Sequence, residues 1–250
     1  MIANFEMTEK LTPGGIQNNA VLREEVEDLL ANKYLTNDKV GNTWELINVN
    51  LALNPYQPYV NILNRPFKFD YLEKEHKWYM SQDLSIKGWM DDIKIWNFCA
   101  SKDDKLLINS NYGWCVFSEE NGNQYENCIK KLVEDPNTRE ALMIYTRPSM
   151  HADAVENGKH DFMCTISAHV FLRDSKLYYI VTQRSCDLVT GFSFDFPWHC
   201  FVYQMMLAEL KAKYPKYQYI EQGCIFYNIG SLHVYERHEK LLQQYVAYGA

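Results

Sequence analysis

The sequence predicts an α/β chain of the α+β kind, and three observations carry that reading. Phe162 to Ser185 holds two segments of alternating polarity, CTISAHVFL and KLYYIVTQR, joined through Arg173-Asp174-Ser175-Lys176, which is the pattern of a β-hairpin. Helical spacing recurs on either side of it, at Val21 to Lys33, Asn123 to Glu134 and Pro197 to Lys213. Apolar residues make up 47% of the 250 positions and aromatic residues 14%. That composition can bury one large core, so residues 1–250 are expected to form a single domain.

Taken in order, residues 1–20 read as loosely ordered around Pro13-Gly14-Gly15. Leu22, Val26, Leu29 and Leu30 then fall on one face of a helix from Val21 to Lys33. Thr43 to Leu53 (TWELINVNLAL) alternates as a half-buried strand does, and Tyr71 to Gln82 reads as a second helix. Tyr125, Cys128, Ile129, Leu132 and Val133 form one stripe that Asp135-Pro136-Asn137 ends. REALMIYTR reads as a strand, Pro197 to Lys213 as a long helix, Tyr217 to Tyr227 as a strand and Val234 to Tyr245 as a closing helix. No internal repeat or low-complexity tract interrupts this order.

Composition also excludes several classes. A net charge of −7 argues against a protein that coats nucleic acid, which needs clustered cations to release counterions. A small anion held by a few placed arginines remains compatible with it. The seven cysteines form no CxxC pair and sit in no His-rich metal spacing, so they read as reduced thiols of a cytosolic protein, with no metal expected. The N-terminus lacks a basic segment followed by an apolar one, and no run approaches a membrane span. A soluble, unsecreted protein is the expectation.

The stretch GFSFDFPW, residues 191–198, sets a single acid, Asp195, among Phe, Pro and Trp. A carboxylate in such surroundings must be paired, hydrogen-bonded or neutralised. Capping a helix that begins at Phe196-Pro197 is one way to meet that need; a ligand is another. If the hairpin turn centres between Asp174 and Ser175, antiparallel pairing places Cys164 opposite Ser185 and within a residue of Arg184. A nearby cation lowers a thiol pKa, so Cys164 is a candidate nucleophile, although a strand cysteine is usually inert packing. Arg184 with Ser185 offers an anion site. His233 and Tyr235 share a face if SLHVY is extended. Glu75 can be a solvated helix position, and Arg139 and Arg147 ordinary surface charges.

Together, KEHKWY, INSNYGW, IYTRPSM, DFMCT, QRSCDLVTGFSFD and GSLHVYERH resemble, in order, the thymidylate synthase family, and more closely its phage-type deoxycytidylate (dCMP) hydroxymethylase branch. The resemblance implies a mixed β-sheet covered by helices and a homodimer packed through the sheet face. It implies that Cys164 adds to C6 of a pyrimidine, that Arg184 and Ser185 bind the 5′-phosphate, and that Arg139 reaches the phosphate from a partner subunit. The family usually has a second arginine after that one, where this chain has Glu140. Lys39, in NDKVGN, matches a further basic position. His233 and Tyr235 match residues that hold the deoxyribose hydroxyl, Glu75 and Tyr112 the proton-transfer network, and Asp187, Trp96 and Gly191 the folate side. Asp195 stands where thymidylate synthases have Asn, and an acid there suits the amino group and N3 of cytosine. The implied reaction transfers the methylene of 5,10-methylenetetrahydrofolate to C5 of dCMP, with water completing a hydroxymethyl group. A dCMP methyltransferase, a dUMP hydroxymethylase and a noncatalytic nucleotide- or RNA-binding regulator are the alternatives. No stable nucleic-acid or membrane binding is expected, and the cytoplasm, a host's if the gene is a phage's, is the expected location.

Overall fold

The computed structural model describes residues 17–32, 35–37, 41–60 and 66–248. Its helices are α1 (Asn18–Asn32), α2 (Phe69–Ser81), α3 (Lys94–Cys99), α4 (Tyr112–Phe117), α5 (Gln124–Glu134), α6 (Met150–Glu156), α7 (Phe192–Lys213) and α8 (Glu239–Tyr248). Its strands are β1 (Leu35–Asn37), β2 (Asn42–Leu53), β3 (Leu142–Ile144), β4 (Thr165–Arg173), β5 (Lys176–Gln183), β6 (Cys186–Asp187) and β7 (Glu221–Tyr235). They form one mixed sheet in the order β1-β2-β7-β5-β4-β3, with β6 also paired to β7. The β5–β7 and β6–β7 pairs are parallel and the others antiparallel. Among the described residues no helix is long and apolar enough to cross a membrane.

The hairpin closes at Asp174 and Ser175, both with positive φ (49° and 57°), the signature of a two-residue turn whose twist suits the strands. Pairing runs in one register from Arg173↔Lys176 to Ser167↔Thr182, then shifts so that Thr165 faces Gln183. A β-bulge around Ile166 absorbs one residue. The expected facing of Cys164 with Ser185 is therefore corrected by one position: the Arg184 N–H donates to the Cys164 carbonyl at 2.9 Å. The bulge also switches faces. Ala168, Val170 and Leu172 point into the core, and beyond the bulge Thr165 does, level with Gln183. On the opposite face Ile166, Phe171, Tyr178 and Ile180 are half-exposed.

Other expectations shift for local reasons. The chain is already helical at Asn18, because the Asn18 side chain and the Asn54 backbone exchange hydrogen bonds of 2.9 and 2.7 Å; Lys33, the expected end of that helix, lies outside the described residues. The expected strand at 139–147 contracts to β3. The strand expected at Tyr217–Tyr227 begins at Glu221, after a 3-10 turn at Pro215–Tyr217, and continues to Tyr235. It stays extended because β2 pairs with it as far as Thr43↔Tyr235 and β6 at Asp187↔His233. The closing helix accordingly starts at Glu239 rather than Val234. Helix α7 begins at Phe192, so Pro197 lies inside its first turns and Asp195 is not its N-cap.

Helix α4 approaches α2 closely. An added Cβ on Gly113 would lie 1.8 Å from the Tyr79 carbonyl oxygen, and the rings of Tyr79 and Tyr112 stack with centroids 5.2 Å apart. Gly113→Ala must push the two helices apart. It is expected to lower stability by about 3 kcal/mol or more, read from urea denaturation.

Candidate active site

Three parts of the fold converge on one polar cluster: α2 brings Glu75, the first turn of α7 brings Asp195, and the start of β4 follows Cys164. The Asp195 carboxylate does meet a partner inside the protein. Gln183 Nε2 donates to its Oδ2 at 2.9 Å, and the Tyr112 phenol also hydrogen-bonds it. Gln183 further donates to Thr165 Oγ1 at 3.3 Å, and that hydroxyl donates to the Tyr112 phenol at 3.1 Å. Behind them, the neutral ring of His199 lies between Thr165 and the Tyr179 phenol, at 3.5 Å from each; burial holds its pKa down to about 3. Gln183 Oε1 is buried and has no hydrogen-bond partner among the described residues. An acceptor therefore stands unused beside Asp195.

Glu75 is buried on α2 and accepts a hydrogen bond from Tyr71, one turn earlier, at 2.9 Å. Burial, and then the charge of Asp195, push its carboxyl up to about 8. Burial pushes Asp195 up to about 7, against the hydrogen bonds from Gln183 and Tyr112.

Cys164 follows the segment that Asp161 anchors. Asp161 accepts from the Asn109 and Ser110 backbone N–H groups at 2.7 Å each and from Ser110 Oγ at 2.6 Å. That fixes the loop carrying Cys164 to the loop leading into Tyr112. Arg184 lies beside the thiol and donates from Nε to the Met163 carbonyl at 3.0 Å, and from Nη2 to that of Phe162. Its charge lowers the thiol pKa, yet burial outweighs it, and Asp195, Asp161 and Asp187 add to burial; the Cys164 thiol is pushed up to about 12. Arg184 thus acts on the thiol in the expected direction, and burial favours the protonated form against it.

The remaining candidates fall into two groups. Ser185, His233 and Tyr235 are brought together, with Ser185 Oγ 3.5 Å from His233 Nδ1 and the two rings edge to face at 5.8 Å. Asp187 is engaged in its own turn, accepting on Oδ1 from the Val189 and Thr190 N–H groups at 2.9 and 3.0 Å and on Oδ2 from the Thr190 hydroxyl. Gly191 closes that turn by donating to the Asp187 carbonyl at 3.0 Å. Trp96 is half-buried on α3, its Nε1 donating to the Tyr71 phenol at 3.0 Å. Arg139 is exposed on the loop before β3, its carbonyl bonded to His169, and is not gathered into the pocket. Glu140 takes Lys131 as its partner. Lys39 lies outside the described residues. Arg147 is not a free surface charge: it bonds Asn109 Oδ1 at 3.0 Å and lies 4.8 Å from the Trp114 ring.

A family model described as thymidylate synthase matches residues 25–248. The chain belongs to the thymidylate synthase family. The deoxycytidylate 5-hydroxymethyltransferases of Enterobacteria phages T6 and T4 are each 40% identical to it over 190 residues, 74% of this chain and 76% of theirs. A thymidylate synthase of Francisella tularensis subsp. holarctica is 21% identical over 217 residues, 83% of this chain and 76% of its own. Family members of this kind use methylenetetrahydrofolate as co-substrate, and Trp96, with Phe194 packed on Tyr71 at 4.5 Å, provides flat half-buried faces that fit such a ring system.

Sequence reasoning had singled out neither Gln183 nor Tyr71 nor Thr165. Gln183 stands in the quoted QRSCD run and Thr165 in DFMCT, so a signal existed, but their partners are far along the chain.

Two outcomes follow from the charges. Both carboxyls hold a proton more tightly folded than unfolded, so their contribution to stability is full below about pH 4 and is lost as pH rises through 7 to 8. Asp195→Asn removes one of the charges, so the ligand-free variant gains on the wild type between pH 5 and pH 8, measured as the difference in urea midpoint. Iodoacetamide labelling of Cys164 in the free protein, followed on its peptide by mass spectrometry, is expected to be slow at pH 7 and to keep rising past pH 9 without a plateau.

Proposed function

We propose that the chain is a dCMP 5-hydroxymethylase acting as one catalytic domain. The observation that carries the reading is a carboxyl, Asp195, held by Gln183 in the pocket next to Cys164, with an affinity for protons near neutrality. Cytosine offers an amino donor at C4 and a basic N3, and a carboxyl of this kind can accept from the first and give its proton to the second. Gln183 Oε1 supplies one more acceptor at that edge. Uracil presents the opposite pattern, and a mismatched buried group costs ~1–3 kcal/mol, or roughly 10- to 100-fold. The names of the relatives at 40% identity agree with this choice.

Proton transfer from Asp195 to N3 makes C6 electrophilic and leaves Asp195 a carboxylate paired with the positive pyrimidine; that positive ring then favours the Cys164 thiolate. Cys164 bonds to C6, which makes C5 a nucleophile. Methylenetetrahydrofolate supplies the one-carbon unit that C5 captures. Arg184 and Ser185 hold the 5′-phosphate, with Lys39 as a further cation, and His233 and Tyr235 hold the sugar hydroxyl. Tyr112 joins Glu75 in moving the C5 proton, and Glu75 directs water to the new methylene. Trp96, Asp187 and Gly191 form the folate side; Asp187 and Gly191 act there by shaping the turn at 187–191. The half-exposed apolar face of β4 and β5 supports a homodimer through the sheet, in which Arg139 reaches the neighbouring subunit's phosphate. The enzyme works in the cytoplasm, without metal and without stable nucleic-acid or membrane binding.

Given methylenetetrahydrofolate with dCMP and dUMP in competition, the protein is expected to add CH2O to dCMP alone. Addition of CH2 with dihydrofolate would make it a methyltransferase instead. Asp195→Asn is expected to move the ratio of kcat/KM from dCMP towards dUMP by roughly 10- to 100-fold; an unchanged ratio sinks the role given to Asp195.

A further inference from the structure

We propose that Tyr71 is the positioning residue that holds Glu75 ready to take a proton from the incoming water, so that hydration of the C5 methylene depends on a phenol as well as on the carboxylate. This rests on the hydroxymethylase reading above and adds a residue to it.

The direction of the hydrogen bonds is fixed by chemistry. An indole N–H can only donate, so Trp96 Nε1, 3.0 Å away, uses the Tyr71 oxygen as acceptor and leaves the phenol proton to point elsewhere. Elsewhere is Glu75 Oε1, at 2.9 Å. The ring cannot swing away freely, because Phe194 packs on it with centroids 4.5 Å apart, and Phe194 immediately precedes Asp195. One relay, Trp96 to Tyr71 to Glu75, thus spans the folate wall, the acid pocket and the turn that carries the base-reading residue.

Oε1 of Glu75 accepts from the Tyr71 phenol, so the proton taken from water is assigned to Oε2. The groups facing Glu75 are Tyr71 and Tyr79 from its own helix, both hydrogen-bonded to it, and Asp195 from α7. Trp96 of α3 stands behind Tyr71, and Tyr112 of α4 stacks on Tyr79. The two phenols favour the ionised carboxylate; burial and Asp195 oppose it. Removing one phenol therefore favours the protonated acid, which cannot act as a base.

The assisted step balances without an oxidant or reductant. Water oxygen bonds to the methylene carbon, and its proton passes to Glu75 Oε2. The methylene π electrons move onto the ring, C5=C6 re-forms, and the C6–S bond breaks to release the Cys164 thiolate. The product carries CH2OH where dCMP carried hydrogen. Cys164 addition and one-carbon capture, the two steps before the C5 proton leaves, do not use the base in this way.

Tyr71→Phe keeps the ring against Phe194 and removes only the hydroxyl. The expected result is a loss of turnover to 5-hydroxymethyl-dCMP of roughly tenfold or more, with KM for dCMP within about twofold. The acid limb of the kcat–pH profile should move to higher pH. The covalent complex of the variant with 5-fluoro-dCMP and methylenetetrahydrofolate, which stops before hydration, should form in wild-type yield. Trp96→Phe, which keeps a flat ring and removes the donor behind the phenol, should move the acid limb in the same direction. Turnover of Tyr71→Phe within twofold of wild type, or an unmoved acid limb, overturns the assignment. If complex formation falls in step with turnover in Tyr71→Phe, the Trp96→Phe profile decides, and an unmoved limb there overturns it too. A wild-type product that gains CH2 rather than CH2O would instead remove the hydroxymethylase reading itself, whatever the variants do.

Discussion

A buried carboxyl, Glu75, set beside a half-buried one, Asp195, is the constraint around which this fold is arranged. Glu75 and Asp195 come from helices more than a hundred residues apart in sequence, and among the described residues no cation acts on either: Asp195 and the phenols of Tyr71 and Tyr79 act on Glu75, and Gln183, Tyr112 and Asp187 on Asp195. Burying such a pair costs free energy unless dipoles surround it. Here the dipoles are neutral: the Gln183 amide and the hydroxyls of Tyr71, Tyr79 and Tyr112. Those side chains need a rigid frame, which explains why α4 packs on α2 so closely that only glycine fits at 113. Burial raises the two carboxyls and the Cys164 thiol alike, towards their neutral forms.

The sheet contributes alignment rather than chemistry. Strand β7 is long enough to pair with β2 along one side and with β5 and then β6 along the other. Through β6 it sets Asp187 beside His233, and through the Ser231 N–H to Arg184 carbonyl bond of 3.1 Å it holds the residue next to Ser185. One extended segment therefore positions His233 and Tyr235 against Arg184 and Ser185. The helical side, α2, α4 and α7, holds Glu75, Tyr112 and Asp195. The pocket lies where the two meet.

Local sequence carried much of this and missed the rest for identifiable reasons. The hairpin was legible because alternation and a tight turn are both local, and the strand at Thr43–Leu53 for the same reason. The demand that Asp195 find a partner followed from its neighbours Phe194 and Phe196. Its partner did not, since Gln183 reaches it only through the packing of α7 on the sheet. The N-cap reading failed because the helix begins four residues earlier than Phe196, at Phe192, so that Pro197 is accommodated within the first turns. The extension of β7 to Tyr235 was hidden because Val234 and the residues after it carry a helical spacing that pairing with β2 overrides. Helices α3, α4 and α6, of six, six and seven residues, are too short to leave a periodic signal. Tyr71 looked like one more aromatic position on a helix; its bonds to Glu75 and Trp96 exist only once α3 is folded against α2.

The bulge at Ile166 bears on how such chains diverge. The inward position of Thr165 depends on one extra residue in β4 and not on any property of threonine. Deleting a single residue there would leave every motif of the pocket readable in the sequence while turning Thr165 out of the layer it shares with Gln183 and His199. A descendant could thus retain Cys164, Arg184 and Asp195 and have lost the geometry joining them. In this scaffold the spacing between side chains is itself heritable information, and a gap of one in a comparison of chains carries more weight at that strand than a substitution does.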